Sequence, residues 1–246
     1  MPVDISLIVF GGLAALLMGF AKTGLPGASI LAVALMAQGF RHNAELSVGA
    51  MLPVLLVGDV FAVRFYGKFT SWKRLVRLFP TVVVGMSLGI GVLHIVEGNQ
   101  LRPILGALLL FLFALEMARR YYGWNDVPHH WAFTVSIGLL AGFGTAVGNA
   151  AGPVMTMYLL SHELRKDKFL GTCAWFFFIV NILKIVPFSL EGMITRETLL
   201  FDVWAIPMLL VGVACGRYVA RRISQGLFDF LVLVLAGAAA VWMIVG

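Results

Sequence analysis

Residues 142–153 read GFGTAVGNAAGP and lie inside a strongly apolar chain. Four glycines and Pro153 disfavour a regular helix there, and Asn149 adds a polar amide. A similar stretch near the N-terminus, residues 19–28, reads GFAKTGLPGA. Inside a bilayer, non-helical backbone is tolerated only where protein or a water-filled cavity surrounds it. Two such breaks at matching places in two halves of a chain indicate the binding site of a transporter.

The composition is that of a membrane protein. Of the 246 residues, 61% are hydrophobic and only 12% are charged, and the mean hydropathy is +0.96. A soluble domain has about half apolar and a quarter charged residues. We therefore expect an all-α polytopic membrane protein with a single transmembrane domain over residues 1–246. The net charge of +6 is interpreted as loop charge that orients the helices, and no nucleic-acid partner is expected.

Two parts of the chain, residues 5–122 and 129–246, follow the same plan. Each begins with an apolar segment, a break and a short arm, and each continues with three long apolar segments. As a helix, each arm is under about 20 Å long, which is less than the roughly 30 Å hydrocarbon core of a bilayer. Similar residues at matching positions support an internal duplication. The matches are Gly49 with Gly171, Asp59 with Asn181, and the pair Gly85 and Gly89 with the pair Gly212 and Gly216.

The predicted segments set the loops, and the loop charges then set the topology. The segments cover residues 5–20, 28–40, 44–66, 72–96, 101–121, 131–143, 153–161, 168–188, 198–219 and 226–245. If each broken element is a hairpin that returns to its own side, twelve Lys and Arg residues lie on one side and three on the other. The twelve are Lys68, Lys73, Arg74, Arg77, Arg119, Arg120, Arg165, Lys166, Lys168, Arg217, Arg221 and Arg222, and the three are Arg41, Arg102 and Arg196.

This charge bias predicts two repeats of inverted topology. Under the positive-inside rule, the side with twelve basic residues is cytoplasmic, so both termini lie outside the cytoplasm. Each repeat would consist of a broken helical hairpin followed by three transmembrane helices. The hairpins are either re-entrant or made of two tilted passes, and the expected location is a bacterial-type inner membrane.

Inverted hairpins would bring their tips together near the middle of the membrane. The arm after each tip begins a helix whose free N–H groups and positive dipole end attract an anion. Lys22 adds a positive charge, and Thr23, Ser29 and Asn149 can donate hydrogen bonds. The candidate substrate-binding residues are Lys22, Thr23, Gly24, Gly27, Ser29, Gly148, Asn149, Gly152, Thr172, Trp175 and Asn181. The alternative is that the glycines only permit close helix packing and that Lys22 extends to the membrane interface.

Asp59 is the acid farthest from either end of a predicted span, where ionisable groups are costly and usually pair or function. It is interpreted either as a proton-coupling group or as the partner of Lys184, which lies on the matching helix of the other repeat. Asn181 is the uncharged counterpart of Asp59. Trp175 begins an aromatic run that is more typical of lipid contact or packing than of substrate contact.

The sequence contains no common enzyme motif. It has no G-x-x-x-x-G-K-[ST], no H-E-x-x-H and no G-x-S-x-G. His129 and His130 lack further ligands at suitable spacing, so no metal is expected. Cys173 and Cys215 lie in apolar segments and are interpreted as small packing residues. We therefore expect no catalytic residue and no cofactor.

The two glycine-rich stretches carry a resemblance to a known family. GFAKTGLPGASIL and GFGTAVGNAAGPVMTMYLL open the two halves, and LRKDKFLGTCAW and NILKIVPF follow in the second half. With these features the chain resembles the sulfite exporter TauE/SafE family, also called the toluene sulfonate uptake permeases. Family members often have richer glycine runs at the first break, where this chain has Lys22 and Pro26. The resemblance implies a carrier for sulfur-containing oxyanions such as sulfite or sulfoacetate.

Residue chemistry and resemblance together predict a secondary transporter of small sulfur-containing anions. The anion would bind between the hairpin tips, and alternating access would move one repeat against the other. Membrane lipids and a small anionic substrate are the expected partners, together with a homo-oligomeric assembly as an option. The alternatives are an anion channel and a membrane scaffold or subunit of a sulfur- or metal-handling complex.

Overall fold

The computed structural model describes residues 5–40, 44–93, 114, 121, 130–149, 151–162, 164–228, 230–231 and 234. Within these residues the chain forms eight long or medium α-helices and no strand. The prediction of an all-α fold is therefore confirmed for the part of the chain that the structure describes. Several predicted features lie outside it, including most of the segments at 101–121 and 226–245 and the residues Arg41, Arg102 and His129.

The first four helices follow the predicted segments closely. They are α1 (Ile5–Thr23), α2 (Ser29–Gly39), α3 (Ala44–Tyr66) and α4 (Trp72–Leu93). A short 3₁₀ helix, Pro26–Ala28, joins α1 to α2, and another, Gly67–Phe69, follows α3. Apolar residues dominate all four helices, and the helices continue through single breakers such as Pro53 in α3 and Pro80 in α4.

The second group of helices contains one departure from expectation. It comprises α5 (Trp131–Gly148), α6 (Ala151–Ser161), α7 (Lys166–Leu190) and α8 (Arg196–Arg222). The sequence predicts that the first helix ends near residue 143, but α5 continues through Gly142 and Gly144 to Gly148. Both glycines are buried, and a Cβ added at Gly142 would overlap the carbonyl oxygen of Val82 on α4. Close packing against α4 thus offsets the low helix propensity of glycine.

The outer surface is apolar, as a bilayer requires. By length and composition, α3, α4, α5, α7 and α8 can each cross a membrane. Their outward faces expose large apolar side chains, such as Val76 and Leu88 on α4 and Val203 and Val211 on α8. A soluble protein rarely exposes so much contiguous apolar surface. The chain is therefore an integral membrane protein.

Both broken elements are hairpins. A Cβ added at Gly39, the last residue of α2, would contact Leu7 and Gly11 near the beginning of α1. The second arm, α6, also returns along α5, because the rings of Phe133 and Tyr158 stack with centroids 6.4 Å apart. Each arm therefore ends beside the start of the helix that precedes it.

Two helix pairs cross at very short distance. The α1–α8 crossing and the α4–α5 crossing are the most extensive helix contacts among the described residues. In both, atoms of one helix, mostly backbone atoms, occupy the space that a glycine side chain would need on the other. The glycines concerned are Gly19, Gly212 and Gly216 in the first crossing and Gly85, Gly89, Gly138 and Gly142 in the second. Such small-residue contacts replace the hydrophobic driving force that is missing between helices in lipid.

The close crossing predicts opposite effects for two glycines of one helix. A Cβ at Gly85 would overlap the backbone of Leu139, whereas a Cβ at Gly91 meets no described residue within 4 Å. Gly85→Ala should lower stability by about 1–3 kcal/mol through overpacking. Gly91→Ala should leave stability unchanged or raise it slightly, because alanine is the better helix former. Thermal unfolding of both variants in detergent measures the difference, and equal midpoints would contradict the proposed crossing.

Candidate functional site

The two helix breaks lie against each other. The first break runs from the end of α1 through Gly24 and Leu25 to the 3₁₀ helix that begins at Pro26. The second lies between Gly148 and Ala151. The side chain of Ser29, the first residue of α2, occupies the space that a Cβ of Gly152 would need. The N-terminal ends of the two arms therefore meet inside the protein.

Local sequence explains each break. Asn149 ends α5 in the left-handed conformation with φ 53°, which asparagine tolerates better than most residues. Its backbone N–H bonds back to the carbonyl groups of Gly144 and Thr145. Pro153 then stands in the first turn of α6, where a missing N–H costs nothing. In the first break, Pro26 takes the same role at the start of the 3₁₀ helix.

A buried ion pair lies beside the first break. The Nζ of Lys22 is 2.6 Å from one carboxylate oxygen of Asp59. The amide of Asn181 donates a hydrogen bond of 2.6 Å to the other oxygen. Lys22 also lies over the ring of Phe177, 4.5 Å from its centroid. Asp59 is fully buried and Lys22 is 7% exposed, so this pair is enclosed within the protein. Three helices, α1, α3 and α7, are joined by it.

A second buried lysine lies beside the second break. The Nζ of Lys184 donates to the side-chain oxygen of Asn149 at 2.5 Å. It also contacts the carbonyl and hydroxyl oxygens of Thr145, at 3.3 Å and 3.2 Å. The amide nitrogen of Asn149 donates to the carbonyl oxygen of Val48 at 3.1 Å. Lys184 thereby fixes the orientation of the Thr145 and Asn149 side chains of the second hairpin.

A small cavity of about 30 Å³ lies beside the contact between the two breaks. Its lining combines both breaks with the middle of α3 and α7. The lining residues are Met18, Ala21, Lys22, Pro26, Ser29, Leu55, Thr145, Asn149, Gly152, Cys173, Ala174, Phe177 and Asn181. Since one water needs at least about 10–15 Å³, the cavity has room for about two waters but not for a sulfonate. The structure is therefore closed around this site.

Several candidate residues from the sequence line the cavity, and others lie elsewhere. Lys22, Ser29, Asn149, Gly152 and Asn181 belong to the lining. The hydroxyl of Ser29, however, donates to the carbonyl oxygen of Pro26 at 2.7 Å, so it is already engaged. Gly148 is the buried last residue of α5, and Gly27 lies in the first 3₁₀ helix.

Four candidates have structural roles away from the cavity lining. Thr23 donates to the carbonyl oxygen of Val213 at 2.8 Å and so ties α1 to α8. Gly24 allows the backbone of Gly216 to approach. Thr172 accepts a hydrogen bond from the backbone of Ser71 at 3.1 Å. Trp175 packs against Trp72, with ring centroids 5.1 Å apart. The last two lie where α7 meets the connection between α3 and α4.

The pairing of the charged residues differs from the alternative in which Asp59 binds Lys184. In the structure Asp59 pairs with Lys22, and Lys184 bonds Asn149 and Thr145 instead. Sequence reasoning also missed eight of the lining residues, among them Thr145 and Phe177. The available signal for Phe177 was its position four residues before Asn181, which places both on one face of α7.

A family comparison agrees with this geometry. Ionisable side chains enclosed between helix breaks are characteristic of the substrate or ion site of a membrane transporter. The family model for "Sulfite exporter TauE/SafE" matches residues 9–243 of the chain, so the protein belongs to that family of membrane transporters. No curated protein and no solved structure matches the chain.

The ion pair predicts non-additive effects on stability. Removing one partner of a buried pair leaves an uncompensated charge and costs about 3–5 kcal/mol. Lys22→Met and Asp59→Asn should each lower the unfolding temperature clearly. The double variant should be more stable than the sum of the two losses, because neither charge then remains alone. Thermal unfolding of the three proteins in one detergent tests this, and strictly additive losses would show that the two groups do not interact.

Proposed function

We propose that the protein is a secondary transporter of small sulfur-containing oxyanions and that the cavity between the helix breaks is its substrate site. The observation that carries the proposal is the excess of buried cations there. Lys22 and Lys184 are both buried near the cavity. Among the described residues, Asp59 is the one carboxylate in an ion pair with either of them, and its partner is Lys22. Family membership supports the sulfur-compound chemistry. The bacterial-type inner membrane, with both termini outside, is proposed from the loop charges.

Two inverted repeats, residues 5–122 and 129–246, are part of the proposal. The matched helices α3 and α7 run antiparallel, because Gly49 at the start of α3 packs on Met193 after α7, and Gly171 at the start of α7 packs on Tyr66 at the end of α3. The helix crossings correspond in the same way. The pairing of α1 with α8 becomes the pairing of α5 with α4 when the repeats are exchanged.

The cavity is too small for a sulfonate in this conformation. Transport therefore requires the helices around it to move. The glycine crossings suggest which helices move together. They join α1 to α8 and α4 to α5, that is, each first helix of one repeat to the last described helix of the other. Movement of one whole repeat against the other would pull both crossings apart. We therefore propose that the rigid bodies are built from helices of both repeats and that the breaks open between them.

Asp59 is the proposed proton-coupling group. Its carboxylate already contacts Lys22, so a proton can reach it only when that pair opens. An anion arriving at Lys22 would compete with Asp59 for the ammonium group and would thereby couple the two events. In the Asp59→Asn variant, a pH gradient should no longer drive uptake, whereas exchange of substrate across the membrane should continue.

Lys22 is tested by substrate exchange in proteoliposomes, which needs no coupling ion. Asp59→Asn provides the background, so that removal of Lys22 leaves no buried carboxylate unpaired. We expect exchange of sulfite or an organosulfonate with Asp59→Asn and a loss of at least about tenfold when Lys22→Met is added, because one buried charge interaction is worth a few kcal/mol. Equal exchange by both proteins would exclude Lys22 from the substrate site.

The rival functions differ in flux. A channel for the same anions would give single-channel currents far above the turnover of a carrier. A scaffold or subunit of a larger complex would give no flux on its own. The contact of Ser29 with Gly152 and the small size of the cavity favour the carrier over the channel.

A disulfide across the breaks tests whether they must separate. A Cβ at position 152 would lie 3.8 Å from the Cβ of Ser29, which suits a disulfide bond. Oxidation of the Ser29→Cys, Gly152→Cys variant should stop exchange, and reduction should restore it. The matched control is Phe10→Cys with Gly39→Cys, whose Cβ atoms would be 3.7 Å apart within one hairpin. Full exchange by the oxidised Ser29–Gly152 pair would show that the breaks do not separate during transport.

A further inference from the structure

The charges around the cavity do not balance. Three ionisable side chains lie around it: Lys22 is in the lining, and Asp59 and Lys184 each bond a lining residue. Lys22 and Asp59 neutralise each other at 2.6 Å. Lys184 bonds only to neutral oxygen atoms, those of Thr145 and Asn149. With both lysines charged, the cluster carries one positive charge without a partner among the described residues.

The contacts of Lys184 match its charged form. An ammonium group has three N–H donors, whereas a neutral amine has two. The Nζ of Lys184 has three oxygen atoms within hydrogen-bonding distance. The side chain is fully buried, and its Nζ lies 5.4 Å from the centroid of the Phe188 ring, where a cation is attracted to the aromatic face.

Among the described residues, the parts of the helices that line the cavity offer no acid besides Asp59. The lining residues from α5 and α6 are Thr145 and Gly152, with Asn149 between the helices, and none of them carries a charge. On α7, the lining side chains are Cys173, Ala174, Phe177 and Asn181. A buried net charge is costly unless an ion of opposite sign accompanies it. The site thus has a place for one negative charge.

We propose, resting on the function proposed above, that this site selects monovalent anions over divalent anions of the same chemistry. While Asp59 is ionised, before it accepts the proton proposed above, one monovalent sulfonate makes the cluster neutral overall. A divalent anion leaves a net negative charge in an enclosed, largely apolar cavity. Asp59 sets this preference, because its carboxylate cancels one of the two lysines.

The proposed preference for monovalent anions depends on a charge difference between matched positions of the two repeats. Asn181, the proposed counterpart of Asp59, lies within hydrogen-bonding distance of it but bears no charge. If both positions were acidic, the cluster would be neutral before any substrate bound. If both were amides, it would carry two positive charges and would suit a divalent anion. The single aspartate therefore determines the charge of the preferred substrate.

Two probes of nearly equal size separate charge from shape. Ethane-1,2-disulfonate is divalent, and 2-(methylsulfonyl)ethanesulfonate replaces one anionic oxygen with a methyl group and is monovalent. Both keep their charge throughout the neutral pH range. Uptake by exchange, with each probe isotopically labelled outside and unlabelled inside the proteoliposomes, is measured by mass spectrometry for the wild type, Asp59→Asn and Asp202→Asn. Asp202 is the control because it is also a buried carboxylate, but its oxygens have no hydrogen-bond partner among the described residues, whereas Asp59 pairs with Lys22.

We expect wild-type protein to take up the monovalent probe at least about tenfold faster at equal low concentration, as expected for one unfavourable buried charge. Asp59→Asn should shift this ratio toward the divalent probe by about tenfold or more, and Asp202→Asn should leave it unchanged. Equal or faster wild-type uptake of the divalent probe overturns the charge rule while the transport function stands. Uptake of neither probe overturns the proposed organosulfonate transport together with the charge rule. The wild-type ratio decides the question even if Asp59→Asn does not fold.

Discussion

A helix that stops inside a bilayer exposes backbone groups that lipid cannot satisfy, and this constraint organises the whole structure. The chain has two such stops, after Thr23 and after Gly148. Each is covered by the other, because Ser29 and Gly152 are in contact. The middle parts of α3 and α7 close the remaining sides. Bringing two breaks together therefore solves a backbone problem and creates a polar cavity in the same place.

Charged residues near this cavity are tolerated because they are satisfied there. Lys22 and Asp59 bond each other, and the amide of Asn181 satisfies the second carboxylate oxygen. Lys184 is held by oxygen atoms of the second break. Removing water from an ion pair is costly, so such a pair adds little stability compared with apolar packing. Its presence in an otherwise apolar interior is better explained by function than by stability.

Sequence reasoning identified the elements of this fold better than their contacts. Strong hydropathy and clear breakers fixed α3 at residues 44–66, as the structure has it. The break lies within residues 142–153, as predicted, but the expected helix end near residue 143 was wrong, because glycine in a membrane helix can serve packing as well as termination. Gly142 supports a crossing with α4, which only the three-dimensional arrangement reveals. The true end of α5 depends on the left-handed conformation of Asn149.

For the candidate site, the sequence indicates how far along each helix a residue lies but not which residue of another helix it contacts. Positions along one helix fix depth, and at about 1.5 Å per residue Thr172 lies roughly 14 Å from Asn181. This distance alone argues against a shared small cavity. The rotation of each helix and its contacts with other helices cannot be obtained from positions along one helix. The sequence therefore left open whether Asp59 pairs with Lys184 or is a proton-coupling group. The structure pairs it with Lys22 on α1.

Under the proposed duplication, the backbone of the site is similar in the two repeats, whereas its side chains differ. Inverted repeats allow one fold to open toward either side of the membrane with similar contacts, which favours keeping the breaks and the glycine crossings alike in both halves. The cavity lies between the repeats and serves both openings, so its side chains need no symmetry. Asp59 and Asn181 illustrate this: they occupy matched helices and bond each other, yet one is charged. A symmetric scaffold can therefore hold an asymmetric charge distribution, which is the basis of the anion preference proposed above.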